Sequence, residues 1–143
     1  MLSEKQVQFT LTKKERLKSS KTISDVFEKG KTSVIYPFRI VWLETELNAT
    51  VPVQFGISVP TRKMPKAVSR NRIKRQAREA YRLNKHLLYE VLNPQKKTAS
   101  DRQVAVMFIY LSKKHLPYSF ISAKLVSCLQ YLCHQYEQSP KSD

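Results

Sequence analysis

Residues 70–79 read RNRIKRQARE. Half of them are arginine or lysine, yet Ile73 and Ala77 sit four apart among the charges. Advancing about 100° per residue from Arg70 places Lys74 near 40°, Lys85 near 60°, Arg78 near 80°, Asn71 near 100°, Arg82 near 120° and Arg75 near 140°. Ile73, Ala77, Ala80, Leu83 and Leu87 fall between about 220° and 340° on the same step, with Arg72 on the border near 200°. This separation predicts a helix over residues 66–92 with one face in a core and the other basic. Ser69 can cap it, but residues 66–68 look equally helical, so the start stays open.

From Arg62 to Lys85 there are ten basic residues and one acid, Glu79. A solvated helix interleaves acids with bases at i, i+4, because opposite charges there stabilise it. Here Arg70, Lys74, Arg78 and Arg82 repeat every four residues, and like charges at that spacing cost a few tenths of a kcal/mol each. An external polyanion would neutralise such a row, and arginine suits phosphate through paired N–H donors. Asn71, among the arginines, can hydrogen-bond a 2′-hydroxyl or a base edge.

Composition points the same way. The 143 residues suit one domain, with 41% hydrophobic residues for a core. Lys and Arg number 26 against 11 Asp and Glu, a net charge of +15, so nucleic acid is the leading partner class. A membrane surface is excluded as partner, because the apolar stripe opposite the arginines is needed for the core. Two glycines cannot make a glycine-rich phosphate loop. The apolar run VAVMFIYL at 104–111 is under half of the ~20 residues that span a bilayer, so a soluble, cytoplasmic protein is expected. Cys128 and Cys133 point about 140° apart on one helix and cannot bridge, which fits a reducing compartment. The acids are scattered and His86, His115 and His134 have no evident partner. Neither a metal site nor a catalytic residue is predicted.

The flanking segments predict an α+β domain. Residues 1–18 form a basic arm, mostly irregular, and residues 19–30 a short helix with Ile23, Val26 and Phe27 at i, i+3, i+4, capped by Ser19 or Ser20 and stopped by a left-handed Gly30. VIYPFRIVW at 34–42 and VPVQFGISV at 51–59 alternate as strands, and the linker ETELNATVP at 44–52 fits an antiparallel hairpin. The weaker face of that pair carries Arg39, Gln54 and Ser58, with Gly56 leaving room for close approach. It is either a solvated face or the floor of a groove. Residues 93–101 read as a loop, 103–110 as a central strand covered on both faces, and a last helix opens at Pro117 with Ile121, Leu125, Cys128 and Leu132 buried. The order is α-β-β-α-β-α, a small two-layer sandwich with a mixed sheet. The domain spans 19–136, between the arm and a frayed tail at 137–143.

AVSRNRIKRQAREAYR at 67–82 resembles the signature helix of the bacterial ribonuclease P protein subunit family. LTKKERLKSSKTISDVFEKGK at 11–31 is similar to that family's arm and first helix, and FGISVPTRKMPKAVSRNRIKR at 55–75 to its strand-to-signature segment. The resemblance covers roughly residues 10–135. It implies a sandwich with a left-handed βαβ crossover, against the usual hand. It implies the protein part of a ribonucleoprotein endonuclease that removes the 5′ leader of precursor tRNA. The RNA subunit would be the catalyst and would use Mg²⁺, with no obligate protein partner for this chain.

Residue by residue, the resemblance assigns Arg70, Asn71, Arg72, Lys74, Arg75 and Arg78 to the catalytic RNA, and the basic stripe adds Arg82. It assigns Phe27, Arg39, Arg16, Lys18, Arg62 and Lys63 to the leader. Ile23 stands where the family often has a second aromatic, and Met64–Pro65 where it usually has glycine. Phe27 itself is open to two readings, a core residue beside Ile23 or a leader contact. The competing function is a general RNA-binding protein, like a ribosomal protein, without a role in tRNA processing.

Overall fold

A proline inside an apparent strand decides where the sheet turns. Pro37 has no N–H for a ladder and its ring fixes φ, so a strand cannot run through it. In the computed structural model, which describes residues 10–92 and 102–138, the stretch 34–42 is therefore split. Strand β1 (Lys31–Ile35) and strand β2 (Phe38–Glu44) are antiparallel, with Ile35 opposite Phe38 across a cis Tyr36–Pro37 bond. Phe38, Ile40 and Trp42 are buried, whereas Val34 and Tyr36 of the same parity lie exposed beyond the turn.

Helix α1 (Ser20–Lys29) precedes β1, and the Ser19 side chain accepts the Thr22 N–H at 3.2 Å. Gly30 ends it, but in an extended conformation, not a left-handed one. Space requires the glycine: an added Cβ would stand 2.4 Å from the Val26 carbonyl oxygen and 2.7 Å from that of Trp42.

The expected hairpin between the runs 34–42 and 51–59 does not form. Strand β3 (Val53–Ser58) and strand β4 (Val104–Tyr110) are parallel neighbours, and the sheet order is β1-β2-β4-β3. Strand β4 sits between β2 and β3, antiparallel to the former. Six of its seven residues are buried, as the doubly apolar pattern requires of a central strand. The chain from β3 to β4 runs through helix α2 (Ala67–Asn84) and helix α3 (His86–Leu92), and helix α4 (Tyr118–Gln138) follows β4. The expected 66–92 helix is thus two, broken at Lys85. The full order is α-β-β-β-α-α-β-α, one strand and one helix more than expected, within the expected α+β class. Helix α4 opens at Pro117 and runs on to Gln138, into the segment read as tail.

The sheet buries its two faces unequally. Phe38, Ile40, Trp42, Phe55, Val106 and Phe108 meet Ile73, Ala77 and Tyr81 of α2 and Ile121, Leu125, Cys128 and Leu132 of α4. Phe55 and Tyr81 stack with ring centroids 4.1 Å apart. On the other face Val41, Ala105 and Met107 pack under Val26, Leu17 and Leu47. Both cysteines are free, and burial pushes the Cys128 thiol up to about 12. Among the described residues no helix is long and apolar enough to cross a membrane. The expected loop at 93–101, the first nine residues of the arm and residues 139–143 lie outside the described residues.

Candidate nucleic-acid interface

Helix α2 is turned about its axis from the expected position. Its buried residues are Ile73, Ala77, Ala80 and Tyr81, an arc from about 280° through 0° to about 20° on the same wheel. Tyr81 draws the helix round by stacking on Phe55. Leu83, expected in the core, is therefore 38% exposed, and Lys85, expected on the basic stripe, is only 2% exposed. The outer surface carries Asn71, Arg72 and Arg75 exposed, flanked by the half-buried Lys74 and Arg78.

Two arginines of the stripe have protein partners. Arg70 Nη1 donates to the carbonyls of Met64 (3.0 Å) and Pro65 (2.7 Å), closing the β3–α2 loop onto the first turn of α2. Arg82 donates to both carboxylate oxygens of Glu79, at 3.1 Å from Nε and 2.6 Å from Nη2. These bonds raise the Arg82 pKa and lower that of Glu79. By contrast Arg72, Lys74, Arg75 and Arg78 make no ion pair among the described residues. Burial, and after it the nearby Arg16 guanidinium, lowers the Arg78 pKa.

Arg16 therefore stands beside the α2 surface rather than alone on the arm. Its backbone forms a parallel bridge with Phe55, and the Leu17 N–H donates to the Phe55 carbonyl at 2.9 Å. Lys13–Glu15 form a 3₁₀ turn. Its Glu15 carboxylate, 4% exposed, meets Lys85 Nζ at 2.5 Å, and the Tyr89 hydroxyl donates to the same oxygen at 2.5 Å. The other oxygen accepts the Thr12 N–H at 2.8 Å. Burial pushes the Glu15 carboxyl up, but the bonds from Lys85, Thr12 and Tyr89 outweigh it, and its pKa is lowered. So the arm, read as irregular, is docked from residue 11 onward. Glu15 and Lys85 were missed as partners. The legible half of the signal was the Thr-Lys-Lys-Glu spacing at 12–15, which is that of a capping box.

A second surface lies on the far side of the sheet. Strand register aligns Val34, Arg39, Ile109 and Ser58 in one row across all four strands. Ile109 still packs against the cluster under α1, Ser58 is half-buried, and Val34 and Arg39 are exposed. Phe27 is 50% exposed on α1, outside both cores, while Ile23 packs with the second cluster. Of the two open readings of Phe27, the core one is thereby removed. Arg62 is exposed and Lys63 half-buried in the β3–α2 turn, where the Lys63 N–H donates to the Pro60 carbonyl at 3.0 Å. Lys18 and Arg16 share a shallow depression of about 290 Å³ with Lys13, Lys14, Asn48 and Gln54. The six residues assigned to the leader thus fall in several neighbourhoods: Phe27 on α1, Arg39 on the sheet, Arg62 and Lys63 in the turn, and Arg16 and Lys18 together in the arm's depression, with Arg16 also near Arg78 of α2.

The remaining candidates for chemistry stay apart. His115 Nε2 lies 3.3 Å from Gln76 Oε1, and burial with the nearby Arg72 lowers its pKa. No group of three or more His, Cys, Asp and Glu placed to hold a metal occurs among the described residues.

Comparison with known proteins matches this geometry to one family. The family model described as Ribonuclease P matches residues 11–130. A ribonuclease P protein component of Porphyromonas gingivalis is 46% identical over 84 residues, 59% of this chain and 61% of that protein. The chain thus spans about three fifths of that relative's length. The component of Chlorobaculum tepidum is 33% identical over 116 residues, 79% of this chain and 74% of that one. The RNase P protein of Thermotoga maritima has the same fold, with a TM-score of 0.62 at 21% identity over 82% of this chain and 96% of that one. A mutant RNase P protein of Staphylococcus aureus superposes with a TM-score of 0.63 at 20% identity, covering 82% and 86%. With 120 of its 143 residues inside the family match and a sheet flanked by a basic helix on one face and the exposed Arg39 on the other, the chain belongs to the ribonuclease P protein family.

Proposed function

We propose that this protein is the protein subunit of ribonuclease P, an endoribonuclease that removes the 5′ leader of precursor tRNA. The exposed face of α2 grips the catalytic RNA through Arg72, Lys74, Arg75 and Arg78, with Asn71 bonding a 2′-hydroxyl or base edge. Arg70 and Arg82 stand at its margins, each also holding a protein partner. The uncovered end of the sheet takes the single-stranded leader, with Arg39 on a phosphate and Phe27 as a stacking platform. Arg62 and Lys63 stand in the turn that joins the two surfaces, with Arg16 and Lys18 on the arm.

The observation that carries this reading is the group Arg72, Lys74, Arg75 and Arg78 on α2, which make no ion pair among the described residues and stand on a helix whose other side is locked in the core. Such a row repels itself, and a phosphate backbone relieves that. Bond cleavage belongs to the RNA subunit and its Mg²⁺ in this reading. The protein binds and aligns, and no side chain of it is given a catalytic role.

Cleavage of a precursor tRNA by the transcribed RNA subunit, with and without this protein, tests the proposal. The protein should raise cleavage at the leader junction at low Mg²⁺ and show none alone. RNA binding with no effect on processing would instead mark a general RNA-binding protein. Metal-dependent cleavage by RNA-free protein, surviving mutation of α2, would refute the division of labour.

A further inference from the structure

The arm alternates in a way that charge alone does not explain. Lys13, Lys14, Arg16 and Lys18 are exposed, while Glu15 and Leu17 between them are buried. Glu15 reaches across 70 residues of chain to Lys85, at the break between α2 and α3, and Lys85 Nζ also donates to the Thr10 carbonyl. Both carboxylate oxygens are occupied, one by Lys85 and Tyr89 and the other by Thr12.

A buried ion pair is a poor device for raw stability, because desolvating two charges offsets most of their attraction. Its better use is to fix a register. Here the register carries a consequence. The arm's four cations line one depression, and one of them, Arg16, is also close enough to the most basic element of the protein to perturb Arg78. Repulsion would swing a free arm away, and the Glu15–Lys85 pair opposes that.

We infer that Glu15 is a positioning residue for RNA binding: it latches the arm at Lys85 so that Lys13, Lys14, Arg16 and Lys18 continue the α2 surface along one phosphate backbone. This rests on the reading of α2 as an RNA-binding face. Lys85, turned inward from the basic stripe, serves the same surface from inside by holding the arm in place.

The test uses the full chain and the transcribed RNA subunit of ribonuclease P, with affinity measured across a salt series. Removing one cation–phosphate pairing flattens the log–log slope by about 0.7–0.9. Neutralising the arm (Lys13→Ala, Lys14→Ala, Arg16→Ala and Lys18→Ala together) should flatten it by about 2 or more. Glu15→Gln, which leaves every cation in place, should flatten it nearly as much at a temperature where circular dichroism shows the variant folded. Glu15→Gln added to the cation-free arm should change the slope no further, because its effect passes through those cations.

A Glu15→Gln variant that melts lower but keeps the wild-type slope overturns the inference, since the pair is then only structural. Should Glu15→Gln not fold, an unchanged slope in the cation-free arm overturns it equally. Arg75→Glu with Arg78→Glu separates the two readings. If that variant binds normally, the α2 reading fails. If it loses binding while the arm variants do not, only the latch fails.

Discussion

Gly30 and Gly56 show how differently two glycines can be required. At Gly30 a methyl group would meet two backbone carbonyl oxygens, which cannot move without unwinding α1 or displacing β2. At Gly56 the nearest atom is Met107 Sδ at 2.3 Å, the flexible part of a side chain. Gly30→Ala should therefore cost about 1–3 kcal/mol or more, and Gly56→Ala clearly less, as read from urea midpoints. Phe27 makes the complementary case. Because it is exposed, Phe27→Ala should leave stability within about 0.5 kcal/mol. If it stacks on the leader, precursor binding should weaken by roughly tenfold or more, since one base stack is worth about 1–3 kcal/mol. Equal weakening on mature tRNA, which has no leader, would remove Phe27 from that surface.

At the scale of the element, α2 shows why the wheel alone misplaces its faces. The apolar stripe at 73, 77 and 80 was legible, but Tyr81 was the residue that set the rotation, and its role needs Phe55 opposite it. The rotation changes which substitutions test the basic face cleanly. Arg70→Glu would also break the bonds to Met64 and Pro65, so its effect mixes loop and ligand. Arg75→Glu with Arg78→Glu avoids those bonds. The pair should abolish binding of the catalytic RNA at moderate salt while leaving the circular dichroism spectrum and melting temperature near wild type. Wild-type affinity in the folded double variant would reduce the face to solvated surface.

For the whole molecule, the arm couples stability to pH. The folded-state pKa of Glu15 is lowered, so its contribution is fully present above the unfolded value of about 4.3 and is lost as pH falls through the folded value below that. Acid should then release the arm before or with global unfolding. The pH dependence of stability below about 4.3 should be shallower in Glu15→Gln than in wild type, measured by urea denaturation at stepped pH. An unchanged slope would mean that Glu15 is no better paired in the folded state than in the unfolded one.

Local pattern was enough for the α+β class, the central position of β4 and the basic character of α2, because periodicity and charge are properties of neighbouring residues. The two-surface arrangement was legible only as far as parity placed Arg39 on the weaker sheet face. Four features needed the tertiary structure. Val34–Trp42 could not be divided by alternation, which runs in phase through the turn at Pro37. The partner of β2 could not be chosen, because β3 and β4 both offer an apolar face and only packing three helices on one side selects the order β1-β2-β4-β3. The rotation of α2 follows from one aromatic stack. Lys85 left the basic stripe for Glu15, 70 residues earlier in the chain, and a pairing at that distance in sequence leaves no periodic trace. What neighbours dictate could be read along the chain, whereas what distant side chains do to one another required the fold that brings them together.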